Sequence, residues 1–503
     1  MTRVVLLLFA LCLAANCVAA ARLDLMPDEA FFWMCSQRLA LSYVDHPPMT
    51  ALLARGGAEL FGTSPFGARA LFVLAGALLP LCVYALARPV ATQRDAVLAA
   101  GFTLIVPGLP RVVVLGDVPL LVFAALALAS FERATRTRQL AAWLACGAAT
   151  GLAFATHYRA LSIPLAFGLY LGLTRGGRAH WRAPGLWLAI ALALVGLLPS
   201  LVWNAQHGFA SIRYQMWERH AGAFSAEALV DHLRMQLLGV TPTLYIALLA
   251  VLAVLVRRAW RGDDRAALYA CFSLAYLGTF LLASPWADRE HVSLHWPMAG
   301  YLPLLAFLPA ALRAFAHGNA PRVRRVAIAL VPGVALTATA FFHLETATGV
   351  LGTRELQRAF GGWSTGVAAV RDALPGLPPQ ADGTRLVVSD AYALAGNLEM
   401  RLGDAIRVYV LDHPKQVAHG RALQFRLWGL DEAGLARHAG ATALIALDRD
   451  QSRSAAWDAW RAHAAARFDA WTPLAEVVAE GRRELGPRFF LYRGQVLPDL
   501  RAR

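Results

Sequence analysis

Eleven apolar runs, each near the length of a bilayer crossing, occupy the first two thirds of this chain, and a pattern of that kind is buried only in a membrane-embedded bundle. They lie at about residues 4–21, 69–87, 95–110, 118–131, 140–156, 160–174, 185–203, 236–256, 266–284, 296–312 and 326–342. A helix needs roughly 20 apolar residues to cross, and shorter ones are tolerated inside a bundle. Composition agrees, because 58% of the 503 residues are hydrophobic and only 16% are charged. The net charge of +14 would suit nucleic acid if it formed one stripe. It falls instead in short arginine clusters between the apolar runs, so no nucleic-acid partner is expected and the lipid bilayer is.

Those clusters predict a topology. If Arg3 is cytosolic, so are the connections 88–94, 132–138, 175–182, 257–265 and 313–325, all short and rich in arginine. The other side then receives the first long loop, about 22–67, the turn at Asp117, His157-Tyr158-Arg159, the loop 204–234 and residues 287–295. An odd number of crossings sends everything after residue 343 to the same side. In that tail, Arg385–Asp390, Ala443–Asp448 and Arg488–Tyr492 read as strands and 455–468 as a helix. The expected fold is therefore a mainly α polytopic bundle, residues 1–343, followed by a small α/β domain, residues 344–503. The six cysteines form no C-x-x-C pair and lie mostly in or beside apolar runs, which argues against a disulfide framework or a zinc-thiolate site.

Ionisable groups next to lipid are costly and tend to mark a task. Here they gather on the predicted outer side: Pro27-Asp28-Glu29-Ala30-Phe31-Phe32-Trp33, Tyr43-Val44-Asp45-His46-Pro47-Pro48, Gly116-Asp117-Val118-Pro119, Trp203-Asn204-Ala205-Gln206-His207-Gly208-Phe209 and His295-Trp296. Each has a plain structural reading beside the chemical one. Asp28 and Asp117 suit helix caps, His207 and His220 suit an interface, and the tryptophans suit a membrane belt.

The ordered series closely resembles the bacterial branch of the GT-C glycosyltransferases, which includes protein O-mannosyltransferase-like enzymes and the aminoarabinose transferases that modify lipid A. The resemblance covers residues 1–345 well and the tail weakly, through Asp390-Ala391-Tyr392 and Gln424–Trp428. It implies a bacterial inner-membrane enzyme with its site and tail domain in the periplasm. Such an enzyme moves one sugar, with inversion, from a polyprenyl-phosphate donor to a glycan, lipid or protein acceptor. The chemistry requires a carboxylate to take the acceptor proton and positive charge to hold the departing phosphate. By the resemblance Asp28 is the base, ahead of its neighbour Glu29. Substrate contacts are expected from Tyr43, Asp45, His46, Asp117, Arg159, Asn204, Arg213, Arg219 and His295. Whether Asp45 and His46, with His291, hold a divalent cation is left open by these residues. A transporter or lipid flippase is the alternative, but it predicts charges within the spans and symmetry between halves. A glycan polymerase or ligase ranks third, for want of a large arginine-rich loop in mid-chain.

Overall fold

The computed structural model of the chain describes residues 2–218, 223–287, 294–316, 322–348, 360–451, 456–479 and 488–498. Every one of the eleven apolar runs falls on a helix. Among the described residues, eight helices are long and apolar enough to cross a membrane: Thr2–Arg22, Pro65–Ala87, Asp117–Thr137, Pro184–Gln206, Pro242–Trp260, Asp264–Trp286, Met298–Ala316 and Arg324–Thr346. The other three, Gln93–Leu104, Leu140–Phe154 and Tyr158–Leu173, are shorter and pack inside the bundle. Two expected boundaries are corrected, the helix of the run 95–110 ending already at Leu104. The run 236–256 is broken at Thr241, with φ +72°, and the spanning helix starts at Pro242, whose fixed φ and missing N–H suit a first helical turn.

The first long loop is largely helical, with Pro27–Gln37 and Met49–Phe61 joined by an irregular stretch. A fully buried ion pair fixes it to the bundle. Glu29 receives Arg69 Nε at 2.8 Å and Nη2 at 2.5 Å, the backbone N–H of Val114 at 2.8 Å and that of Met26 at 3.0 Å. Arg69 in turn donates to the carbonyls of Ala20, Leu23 and Asp24. The carboxylate therefore caps its own helix and ties three segments together, with every strong acceptor position in use.

Beyond the last span the chain forms a five-stranded sheet of order β2-β1-β3-β5-β4, with β1 Arg385–Ser389, β2 Ile406–Val410, β3 Thr442–Asp448, β4 Phe468–Val477 and β5 Phe489–Val496. β1 runs parallel to β2 and β3, whereas β5 is antiparallel to β3 and β4. β4 was not anticipated from sequence, because it contains Pro473 and a mostly exposed face, features tolerated only at a sheet edge. Helix Tyr392–Leu402 lies directly on Pro27–Gln37. A Cβ at Gly396 would sit 2.2 Å from the carbonyl oxygen of Ala30, so only glycine permits that approach. Phe31, Trp33 and Met34 of the loop share one apolar core with Leu394, Leu398 and Phe425 of the sheet domain. Arg38 pairs with Glu399 at 2.8 Å and Arg401 with Asp24 at 2.7 Å around its rim.

Replacing Arg69 by Met leaves Glu29 buried without its partner and should cost about 3–5 kcal/mol. The expected result is a large fall in the thermal midpoint and in the yield of monodisperse protein in detergent.

Candidate active site

Neighbouring residues on a helix point about 100° apart, and this separates the two acids of the first motif. Glu29 turns into the core and is sealed, which corrects its placement among the catalytic candidates: a carboxylate enclosed by four donors cannot reach a substrate. Asp28 turns outward. Its side chain is 41% exposed, and Arg421 Nη2 holds Oδ1 at 3.0 Å. Capping of the helix falls to Glu29, so Asp28 is released from that structural duty.

From Asp28 a continuous run of charged and imidazole contacts crosses the site. Arg421 reaches Asp45 at 2.6 Å, Asp45 lies 2.9 Å from His46 Nδ1, and His46 Nε2 is 3.0 Å from His157 Nε2. His157 contacts Arg159 at 2.8 Å, Arg159 pairs with Asp117 at 2.5 Å, and Asp117 lies 3.3 Å from His295. Five segments far apart in sequence supply these eight residues. Burial, only partly opposed by Asp117 and reinforced by Arg159, holds the His295 imidazole below its ordinary pKa. For Arg421 the balance runs the other way. Burial alone would loosen its proton, but Asp45 and Asp28 outweigh that and the guanidinium is held more basic than usual. Its Cζ also lies 3.9 Å from the centre of the Phe31 ring. Beside Arg159, the ring of Trp296 leads to a cavity of about 370 Å³ walled by His232, Phe280 and Trp286.

Two expected substrate contacts are part of the frame instead. The Tyr43 hydroxyl donates to the carbonyls of Cys35 and Arg38 and accepts from the N–H of Ala40, closing the end of the loop helix. Asn204 is buried, accepts from the N–H groups of Ser211 and Ile212 and donates to the carbonyl of Ser200, which starts the helical turn Ala210–Arg213. Arg213 is exposed at the end of that turn. Arg219 and His291 lie outside the described residues. Of the expected cation-site residues, Asp45 is engaged by Arg421 and by Gln215 at 3.2 Å, and among the described residues, which do not include His291, no three His, Cys, Asp or Glu side chains are disposed to hold an ion.

Three residues of weight escaped the sequence-based site. Arg421 comes from the sheet domain, 393 residues from Asp28, placed by Gly420, whose φ of +69° and contact with the Tyr214 ring exclude a side chain. No local pattern announces it. Arg69 did carry a signal, being a basic residue at the predicted outer end of a span, where the positive-inside pattern does not ask for one. His157 lies in the same short connection as Arg159, two residues before it.

Residues 45–203 match the family described as dolichyl-phosphate-mannose-protein mannosyltransferase. Lipid A galacturonosyltransferase RgtD of Rhizobium johnstonii is 28% identical over 287 residues, 56% of this chain, and the chain spans about three fifths (59%) of that relative. Among solved structures, ArnT of Cupriavidus metallidurans superposes with a TM-score of 0.66 in the apo state and 0.67 bound to undecaprenyl phosphate, each at 17% identity and over 98% of both chains. The oligosaccharyltransferase of Archaeoglobus fulgidus follows at a TM-score of 0.53 and 13% identity, covering 96% of this chain and 75% of the other. The chain has the GT-C fold of these structures, and its long apolar helices make it a multi-pass membrane protein.

Replacing Arg421 by Met should lower the thermal midpoint by leaving Asp28 and Asp45 facing each other. Pairing it with Asp45→Asn should recover part of the loss, a coupling of about 1–3 kcal/mol in a double-mutant cycle.

Proposed function

We propose that the protein is an inverting glycosyltransferase that moves a single sugar from undecaprenyl phosphate, or a related polyprenyl phosphate, to lipid A or another envelope acceptor on the periplasmic side of the inner membrane. The observation that carries this reading is the juxtaposition of one outward-facing carboxylate, Asp28, with a cationic and imidazole cluster made by Arg159, His46, His157 and His295. The similarity in fold to ArnT and in sequence to RgtD supports the choice of a prenyl-phosphate donor and a lipid A-type acceptor. The predicted positive-inside topology supports the periplasmic side.

In this scheme the acceptor hydroxyl gives its proton to Asp28 Oδ2, which no group among the described residues holds. The acceptor oxygen bonds to the anomeric carbon as the bond from that carbon to the phosphate oxygen breaks on the opposite face. Polyprenyl phosphate departs with the electron pair, and Arg159 with the neighbouring imidazoles takes up its charge. The isoprenoid lies along the apolar cavity beside Trp296, next to the arginine that meets its phosphate. Arg421 orients Asp28 and, being supplied by the sheet domain, makes the base competent only when that domain is seated. A flippase needs no positioned base, and the grouping of charges at one end of the bundle favours the transferase.

Asp28→Asn should lower transfer from a radiolabelled undecaprenyl-phosphate sugar by roughly 10²–10⁴-fold while leaving folding intact, since the side chain is half-exposed. Normal turnover in the folded variant would remove Asp28 from the base role. Phosphate binding favours a charged His295 over the neutral form that burial prefers, so donor binding takes up a proton there. The ratio of wild-type to His295→Gln affinity for undecaprenyl phosphate should therefore rise as pH falls from about 8.5 to about 6. Titration of tryptophan fluorescence at several pH values reads this directly.

A further inference from the structure

Three buried polar atoms that make no hydrogen bond among the described residues converge on one cavity away from the base: Arg111 Nε, Thr339 Oγ1 and His343 Nε2. The cavity holds about 250 Å³ between the first helix, at Asn16, the segment 107–115 and the last span. Arg111 is only 7% exposed. Its terminal nitrogens donate to the carbonyls of Leu104 at 3.0 Å and Val106 at 2.5 Å, and among the described residues no carboxylate pairs with it. Carbonyls satisfy its N–H groups but do not cancel its charge, and an uncompensated buried cation is expensive. Burial pulls its pKa down to about 10, which still leaves it charged at neutral pH. The surrounding loop is firmly built, with Gly108 N–H bonded to the carbonyl of Gly239 at 2.8 Å and Val114 N–H to Glu29 at 2.8 Å. A rigid pocket with one unbalanced cation and two unspent hydrogen-bonding side chains fits a phosphate group.

We propose that this cavity binds a phosphate of the lipid acceptor, with Arg111 supplying the charge and Thr339 and His343 the remaining hydrogen bonds. The last span is mostly unburied by protein and so borders the bilayer, which lets an amphiphile enter with its chains in the hydrocarbon. Met26 and His295 also line the cavity, so it opens toward the Asp28 segment and Asp117. It is separate from the cavity beside Trp296, and the two adjoin the site through consecutive residues, His295 and Trp296. The reacting phosphate belongs with Arg159. A second anchor outside that cluster suits a phosphate that does not react, which is what a phosphorylated lipid acceptor carries. Naming the ligand as the acceptor rests on the transferase reading.

The test is native mass spectrometry of the full-length, delipidated protein in detergent with four probes: bisphosphorylated lipid A, fully dephosphorylated lipid A, undecaprenyl phosphate and phosphatidylglycerol. Arg111→Gln should retain lipid A at least about tenfold less well than the wild type, the loss expected for one charge-assisted contact, and retain undecaprenyl phosphate unchanged. Thr339→Trp fills the cavity without touching the carbonyl bonds of Arg111 and should give the same result, which covers a failure of Arg111→Gln to fold. Fully dephosphorylated lipid A should bind wild type and variants equally weakly. Equal lipid A retention by folded wild type and variants overturns the proposal. So does loss of undecaprenyl phosphate in place of lipid A, or equal retention of phosphatidylglycerol at the same cavity. The readout is binding, so an inactive wild type in the transfer assay would remove the transferase reading while leaving the Arg111 result to stand or fall separately.

Discussion

The pair Glu29–Arg69 is the contact on which the geometry of the site rests. A sealed ion pair contributes little net stability, since desolvation offsets attraction, but it specifies position when each oxygen has its own donor. Here one carboxylate joins the first loop helix, the second long span and the segment before Asp117. Asp28, one residue earlier on the same turn, inherits its direction from that arrangement. The same carboxylate, through the N–H of Val114, also helps hold the segment that carries Arg111, so both ends of the proposed acceptor path depend on one anchor.

Arg421 adds a second constraint from the opposite end of the chain. It lies between Asp28 and Asp45, with its guanidinium carbon over the Phe31 ring, in a setting where burial is outweighed by two carboxylates. A guanidinium with two acidic partners and an aromatic face under it has few alternative positions. The sheet domain is thereby part of the site and not merely appended to it. The packing of Gly396 on Ala30 and the shared core around Phe31 bring the domain close enough for that reach.

Motif residues divided according to which side of the backbone they occupy. Asp45, His46, Asp117, Arg159 and His295 meet in one run of contacts, as their common predicted side suggested. Tyr43 and Asn204, equally prominent in the motifs, spend their polar atoms on nearby backbone groups and hold the loops that carry the others. A short motif shows that a position is constrained and does not distinguish framework from contact surface. Arg69 and Arg111 were legible in principle, as arginines at the predicted outer ends of apolar runs, where no topological anchor is needed.

From sequence alone came the membrane bundle, the placement of its eleven apolar runs, the α/β character of the tail and the resemblance to GT-C glycosyltransferases, because hydropathy, charge distribution and short motifs are local quantities. Tertiary structure decided which acid of the Asp28-Glu29 pair is free, which arginine orients it and which cavity holds an unbalanced cation. Those outcomes depend on contacts between residues tens to hundreds of positions apart, and burial determines there whether a charge is paired, sealed or left to meet a ligand.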